Sequence, residues 1–197
     1  MEGFVREIEG IYRLKVPFET VYTSVFLVET YSGAVLVDCA TTAEDVDEVI
    51  LPALRNMGHE LLNIDAVVLT HHHGDHAGGI KRILTHAPKI KVITKVGNIG
   101  EDIFVYPMAG HTEDSVGVFD RRTGTLISGD GLQGAGVGKY RCSVKNKNAY
   151  LETVDRIKKD QRIENILFSH AYEPWYKDGA FGRETVDKCL SDCLEYV

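Results

Sequence analysis

The sequence predicts a mixed α/β protein, because stretches with the two-residue period of strands and stretches with the period of helices follow one another along the chain. Apolar and polar residues alternate over Val21–Glu29, as in a half-buried strand. From Thr42 onward the apolar residues fall on one helical face, and Pro52 should kink that helix. The apolar run Asp65–Thr70 then indicates a buried strand, which leads through a histidine-rich loop to a helix near 79–86.

The remaining elements follow the same two patterns. Further strands are predicted at 10–16, 34–38, 90–94, 103–106, 116–120, 125–128 and 165–169, and further helices at 149–159 and 185–196. No linker, repeat or low-complexity segment interrupts this series, and 197 residues suffice for one well-buried core. We therefore expect a single domain spanning residues 1–197.

Composition narrows the class of protein. The chain has no apolar run near the roughly 20 residues that cross a bilayer, and it starts with acidic and polar residues, so we expect a soluble cytoplasmic protein that does not bind membranes. The net charge of -7 makes nucleic acid an unlikely partner and favours a small-molecule substrate. The 4 cysteines are too scattered for a disulfide framework. Oligomeric state is left open.

The strongest chemical feature is a cluster of possible metal ligands directly after the strand Asp65–Thr70. His71, His73, Asp75 and His76 lie within one short loop. Neutral imidazole and carboxylate groups suit zinc or iron, and a single open tetrahedral zinc site could not use all four. The loop therefore predicts ligands for two ions.

Three further candidate ligands come at the ends of predicted strands elsewhere in the chain. They are His111 in AGHTEDS, Asp130 in LISGD and His170 in LFSH. Loops that follow strands are common places for catalytic residues. We expect these three side chains to complete the metal site.

The motifs T-H-x-H-x-D-H-x-G-G at 70–79, G-H-T at 110–112, G-D at 129–130 and S-H at 169–170 resemble, in order and interval, those of the metallo-β-lactamase superfamily. The resemblance covers nearly the whole chain. It implies a four-layer αββα sandwich and two divalent metal ions, most often Zn, with Fe or Mn as alternatives. It assigns His71, His73 and His111 to one ion, Asp75, His76 and His170 to the other, and Asp130 to both. It also implies that Asp38 in VLVDCA supports the ligand loop from behind.

The function implied is that of a binuclear metal-dependent hydrolase acting on a small-molecule ester-type bond, meaning a lactone, thioester or related acyl substrate. A hydroxide shared by the metals is the expected nucleophile, Asp130 the shared ligand, and Asp75 the group that orients the hydroxide. Asp130 disfavours a true zinc β-lactamase, which usually has another residue at that position. The sequence leaves two alternatives open: a small phosphoester or phosphodiester hydrolase, and an enzyme resembling a mononuclear-iron persulfide dioxygenase.

Candidate substrate-binding residues lie in segments that could line a pocket. They are Tyr22, Tyr140, Arg141, Lys145 and Tyr172. Arg141 and Lys145 belong to a basic cluster over Lys139–Lys147, which could bind an anionic substrate group or be an ordinary solvated surface. We exclude His59, His72 and His86 from the site, because each has a simpler role in solvent or near a helix end.

Overall fold

A computed structural model describes residues 3–134, 144–172, 177–195 and 197. The chain divides into two compact units, unit 1 over Met1–Thr94 and unit 2 over Lys95–Val197. Each unit contains one six-stranded sheet together with helices, so the predicted α/β class is confirmed. The expectation of a single domain over 1–197 stays a prediction.

The sheet of unit 1 has its strands in sequence order. Among the first four strands, neighbours are antiparallel to each other. The fourth and fifth strands are parallel to each other, and so are the fifth and sixth. Parallel pairing requires the chain to cross over between strands, and helices make both crossovers. The strands are β1 (Val5–Ile8), β2 (Ile11–Phe18), β3 (Val21–Glu29), β4 (Ala34–Val37), β5 (Ala66–Val68) and β6 (Lys91–Ile93).

Helices of unit 1 cover one face of this sheet. A π-helical turn at Asp45–Ile50 continues into α1 (Leu51–Asn56), a 3₁₀ turn follows at Leu61–Asn63, and α2 (Gly74–Ala77) and α3 (Ile80–His86) follow β5. Leu27, Leu36 and Val67 of the sheet share one buried core with Ile50, Leu54 and Ile83 of the helices. The predicted irregularity at Pro52 takes the form of the π-helical turn just before it, as expected where proline removes a helical N–H donor.

The six strands of the unit 2 sheet also lie in sequence order, from one edge to the other. All its neighbouring strands are antiparallel except the fourth and fifth, which are parallel. Its elements are β7 (Gly97–Ile99), β8 (Ile103–Pro107), β9 (Val116–Asp120), β10 (Thr125–Ile127), a 3₁₀ turn (Gly129–Gly131), α4 (Lys147–Lys159), β11 (Asn165–Leu167), β12 (Gly179–Phe181) and α5 (Arg183–Glu195).

The two long helices of unit 2 pack on its sheet through one apolar cluster. Val154 and Ile157 of α4 and Val186 and Leu190 of α5 are all fully buried there, with Phe119 of β9 among their partners. α4 begins before the predicted residue 149, because the side chain of Asn146 accepts a hydrogen bond from Ala149 N (3.1 Å) and caps the helix.

Every strand and helix predicted from the sequence is present, with ends that differ by a few residues. The structure adds β1, β7 and β12, which are short and lie toward the sheet edges, where alternation is too brief to be recognised. Among the described residues, no helix combines the length and apolar character needed to cross a bilayer. The cytoplasmic location stays a prediction.

Candidate metal centre

The histidine-rich loop of unit 1 lies at the carboxyl end of β5 and contains the unit 1 ligand cluster, His71, His73, Asp75 and His76. Nε2 of His71 lies 2.9 Å from Nδ1 of His73, so these ring nitrogens converge on one place. Nε2 of His76 lies 3.2 Å from Oδ2 of Asp75. The rings of His71 and His76 also lie close together, with their centroids 4.2 Å apart, so the four side chains form one compact cluster.

Asp38 supports this loop through hydrogen bonds to Thr70 and His76. It is fully buried just after β4, and its Oδ2 lies 2.7 Å from Nδ1 of His76. Thr70 donates its backbone N–H to Oδ1 (2.7 Å) and its hydroxyl to Oδ2 (2.8 Å) of the same carboxylate. Asp38 has a φ of 62°, a conformation that costs energy outside glycine and persists only when its surroundings enforce it.

These hydrogen bonds determine which histidine nitrogens are available to a metal. A carboxylate only accepts, so Nδ1 of His76 donates to Asp38 and Nε2 keeps its lone pair. The single hydroxyl hydrogen of Thr70 is committed to Asp38, so that hydroxyl accepts from Nδ1 of His71, 3.1 Å away. Nε2 of His71 is therefore also left with its lone pair, on the side that faces His73.

The glycine pair that ends the motif allows the loop to pack closely on the segment after β4. A Cβ on Gly78 would collide with the carbonyl oxygen of Thr41, and a Cβ on Gly79 with that of Cys39. This close approach allows the backbone N–H of Cys39 to donate to the carbonyl oxygen of His76 (2.8 Å). Burial and the neighbouring charge of Asp38 raise the pKa of the Cys39 thiol far above its ordinary value, so Cys39 is a packing residue.

Thr23, on β3, is a contact that sequence reasoning missed. It is fully buried, and its hydroxyl donates to Oδ2 of Asp75 (3.2 Å). The available signal was its position: Val25 and Leu27 on the same face of β3 belong to the apolar core, and a threonine in that row requires a polar partner.

The unit 2 ligand cluster consists of His111, Asp130 and His170. The two histidines are buried and Asp130 is half-buried. Nε2 of His111 lies 3.6 Å from Oδ2 of Asp130, and Nε2 of His170 lies 3.2 Å from Oδ1. Each oxygen of one carboxylate thus faces a different imidazole.

The topology of unit 2 explains how these distant residues meet. β10 and β11 are parallel, with Ile127 opposite Leu167, and Asp130 and His170 each come three residues further on at the same sheet edge. His111 lies in the loop between β8 and β9, after Gly110, whose φ of 142° and contact with Tyr150 leave no room for a side chain. Sheet pairing, and not sequence proximity, assembles this cluster.

The predicted substrate-binding residues have varied positions. The ring centroid of Tyr172 lies 5.1 Å from that of His170, with the two ring planes tilted by 37°. Lys145 is exposed, and its backbone N–H donates to the carbonyl oxygen of Gly110 (2.9 Å), beside His111. Tyr22 is half-buried, with the ammonium group of Lys15 4.5 Å above its ring. Tyr140 and Arg141 lie outside the described residues.

The excluded histidines have other surroundings within unit 1. The side chain of His72 is exposed, whereas that of the preceding residue, His71, is buried. His59 lies 3.6 Å from Glu29, and His86 lies 2.8 Å from Asp47. These contacts agree with ordinary surface roles.

The donor chemistry of both clusters fits divalent metal ions. Neutral imidazole nitrogens and carboxylate oxygens are ligands for zinc and for iron, and supporting hydrogen bonds of the kind that Asp38 makes are typical of metal-ligating histidines. A cluster of imidazoles and carboxylates with this orientation has no comparable value as packing, because burying such groups is costly unless they are paired or bind metal.

Comparisons with known proteins agree with this chemistry. A family model described as the metallo-β-lactamase superfamily matches residues 19–97, which include the unit 1 ligand cluster. Curated proteins named hydroxyacylglutathione hydrolase, from Legionella pneumophila and Prochlorococcus marinus, are 24% and 25% identical to the chain over 167 and 169 residues. Each match covers 71% of this chain, and they cover 63% and 69% of those relatives. The chain thus covers less than two thirds of the Legionella protein.

Solved structures establish the fold class. A metallo-β-lactamase from Erythrobacter litoralis has a TM-score of 0.71 at 18% identity and is matched over 98% of this chain and 96% of its own. A metallo-β-lactamase from Pseudomonas aeruginosa in its mono-zinc form has a TM-score of 0.74 at 17% identity, over 98% and 94%. The chain therefore has the α/β sandwich fold of metallo-β-lactamases, with two mixed sheets and helices. The resemblance to that superfamily is confirmed.

Proposed function

We propose that the chain is a binuclear metal-dependent hydrolase of small-molecule acyl substrates, with the unit 1 and unit 2 ligand clusters together holding two divalent ions. The observation that carries this proposal is the geometry of Asp130, whose two oxygens face His111 and His170 separately. In the assignment drawn from the sequence, those histidines belong to different ions. Asp130 therefore lies next to a proposed ligand of each ion.

Each residue then has a defined role. His71, His73 and His111 bind one ion, Asp75, His76 and His170 bind the other, and Asp130 binds both. When bound, two such ions supply a hydroxide near neutral pH and an electrophile for a carbonyl oxygen. Asp75 orients the nucleophile and can accept its proton at a carboxylate oxygen. Two dications with two carboxylates and one hydroxide leave about one net positive charge, which favours substrates that develop an oxyanion.

Acyl substrates are favoured over phosphoesters by the curated relatives, whose name specifies hydrolysis of a hydroxyacylglutathione. Lactones, thioesters and related esters share the carbonyl that becomes an oxyanion during attack. Tyr172, beside His170, and Lys145, beside Gly110, are the described residues that we propose to contact the substrate. Tyr22, Tyr140 and Arg141 stay candidates for the same role.

The test combines metal analysis with a substrate panel. Protein stripped with a chelator and reloaded with zinc, manganese or iron is expected to take up about two equivalents and to regain hydrolysis of generic thioesters or lactones. His73→Ala should abolish activity and lower metal content, while His72→Ala, its neighbour in the loop, should change neither. Full activity after complete chelation would refute the proposal.

Two other outcomes would redirect it. Hydrolysis confined to phosphodiesters would keep the metal centre and replace the substrate class. Activity with a single iron ion, accompanied by oxygen uptake in the presence of a persulfide, would replace hydrolysis by an oxidation. Equal damage from His72→Ala and His73→Ala would contradict the ligand assignment.

A further inference from the structure

The hydroxyl of Thr23 connects β3 of unit 1 to the ligand loop. Thr23 is fully buried on β3, on the face where Val25 and Leu27 join the apolar core. A hydroxyl in such surroundings costs free energy unless it forms a hydrogen bond. The one that it forms is to Oδ2 of Asp75, at 3.2 Å and 52 positions further along the chain.

The same carboxylate oxygen also faces the adjacent ligand. Oδ2 of Asp75 lies 3.2 Å from Nε2 of His76, the ring nitrogen that Asp38 leaves with its lone pair by binding Nδ1. Of the two carboxylate oxygens of Asp75, Oδ2 is therefore the one that lies next to Nε2 of His76. Rotation about the last torsion of an aspartate is otherwise broad and nearly two-fold, so nothing in the side chain itself distinguishes its oxygens.

We propose that Thr23 is a positioning residue for Asp75, selecting Oδ2 as the oxygen that shares a metal ion with His76 and leaving Oδ1 to orient the nucleophile. This inference rests on the proposed function, since it concerns how Asp75 binds its ion. Thr23 does for Asp75 what Asp38 does for His76: a buried side chain on a neighbouring strand end holds a ligand in one orientation. The loop is therefore supported from β3 as well as from β4.

The position of Thr23 makes this support rigid. Thr23 is held in the sheet by the pairing of β3 with β2, where it lies opposite Val16, and β4 pairs with β3 further along, at Phe26–Glu29. A threonine has few side-chain rotamers, so its hydroxyl is held in place at small entropic cost. Partners of this kind around metal ligands change metal affinity or activity by about 10-fold to 100-fold when they are removed.

The experiment compares Thr23→Ser with Thr23→Ala in the full-length protein. Both variants lack the threonine methyl group and leave a similar gap in the core, and they differ in the hydroxyl alone. Thr125→Ser and Thr125→Ala are the matched control pair, because Thr125 is also fully buried on a strand and its hydroxyl contacts Thr123. The readouts are zinc affinity, by competition with a chromophoric chelator, and the absorption spectrum of the cobalt-substituted protein.

We expect Thr23→Ser to bind zinc with nearly wild-type affinity and to keep the cobalt spectrum. Thr23→Ala should bind one of two zinc ions about 10-fold more weakly and alter the cobalt bands that report on that ion. The Thr125 pair should differ in neither readout. A Ser and Ala pair at Thr23 that is indistinguishable in affinity and spectrum would overturn the positioning role.

This result is separable from the fate of the proposed function. If the wild-type protein binds two ions and hydrolyses acyl substrates but the Thr23 variants match each other, only the positioning role fails. If the wild-type protein binds no metal, both proposals fail together. If Thr23→Ala does not fold while Thr23→Ser does, Thr23→Val supplies the hydroxyl-free comparison with the core volume retained, and the same two readouts decide.

Discussion

The two ligand clusters are built in opposite ways. The unit 1 cluster comes from one loop of six residues, supported by buried side chains from β3 and from the end of β4. The unit 2 cluster comes from three separate loops, and its members are brought together by the register of the sheet. The first needs support against the freedom of a loop, whereas the second depends on the correct pairing of distant strands.

This difference predicts where each cluster is vulnerable. In unit 1, the buried carboxylate of Asp38 accepts several hydrogen bonds. Replacing such a polar side chain should therefore affect both stability and metal binding. In unit 2, Asp130 is itself the shared residue between two histidines. Loss of Asp130 should therefore act on metal binding and turnover while leaving the sheet intact.

The largest expected effect is that of Asp130→Ala. Removing a shared ligand should lower turnover by at least roughly 100-fold, the upper end of what loss of a mere supporting partner costs, and should reduce the metal content. Kinetics on a thioester and elemental analysis of the purified variant measure both. Asp114→Ala, which removes an exposed carboxylate from the loop that carries His111, is the control and should be nearly silent.

Asp38→Ala should give the largest loss of stability. It leaves the N–H and hydroxyl of Thr70 and Nδ1 of His76 without their buried acceptor, which we expect to lower the free energy of unfolding by about 3 kcal/mol. Urea unfolding monitored by circular dichroism tests this. Asp65→Ala, an exposed aspartate at the other end of β5, provides the control. A loss in the control as large as that in Asp38→Ala would show that the hydrogen-bond network has no special importance.

Gly78→Ala tests the close packing of the unit 1 loop. Its new Cβ would meet the backbone carbonyl of Thr41, and relieving that clash should cost about 1–3 kcal/mol in unfolding free energy. Gly74→Ala, at the first residue of the short helix that Gly78 follows, is the matched comparison, because a Cβ at Gly74 meets nothing within 4 Å. Thermal unfolding of the two variants should separate them clearly, and similar melting temperatures would mean that the loop can shift away from Thr41.

The smallest expected effect concerns Asp160, which follows α4 in unit 2, away from the ligand residues. A hydrogen bond from Arg162 lowers the pKa of Asp160 below its ordinary value. A carboxylate with a lowered pKa contributes stability that is present above its unfolded pKa, about 3.9, and is lost as the pH falls through the folded value. Asp160→Asn should therefore destabilise by less than about 1 kcal/mol near neutral pH, since Arg162 is mostly exposed.

Urea unfolding of wild type and Asp160→Asn over a series of pH values measures this effect. The two curves should converge in acid, where the wild-type carboxylate is protonated and its ion pair is gone. Asp155→Asn, which removes a carboxylate paired with the exposed Lys159, is the comparison at a more solvated site. A difference for Asp160→Asn that stayed constant with pH would contradict the assigned cause.

Prediction from the sequence succeeded where the determinants are local. The strand ending at Thr70 and the loop that follows it contain their own periodicity, ligands and glycines within fifteen residues, so their structure and chemistry could both be recognised. His111, Asp130 and His170 were selected because each ends a predicted strand or begins the loop after it, a weaker criterion that the superfamily resemblance strengthens. Thr23 escaped notice because a threonine in a strand is common, and its partner lies far along the chain.

By itself, then, the sequence determined the α/β class, the identity of the candidate ligands and the kind of metal they suit, since these depend on short-range patterns and on side-chain chemistry. Only the tertiary structure decided that Thr23 donates to Asp75, that Asp38 binds Nδ1 of His76, and that the oxygens of Asp130 face different histidines. The physical reason is that these contacts follow from strand register and helix packing, which join residues tens of positions apart and leave no periodic trace in the chain.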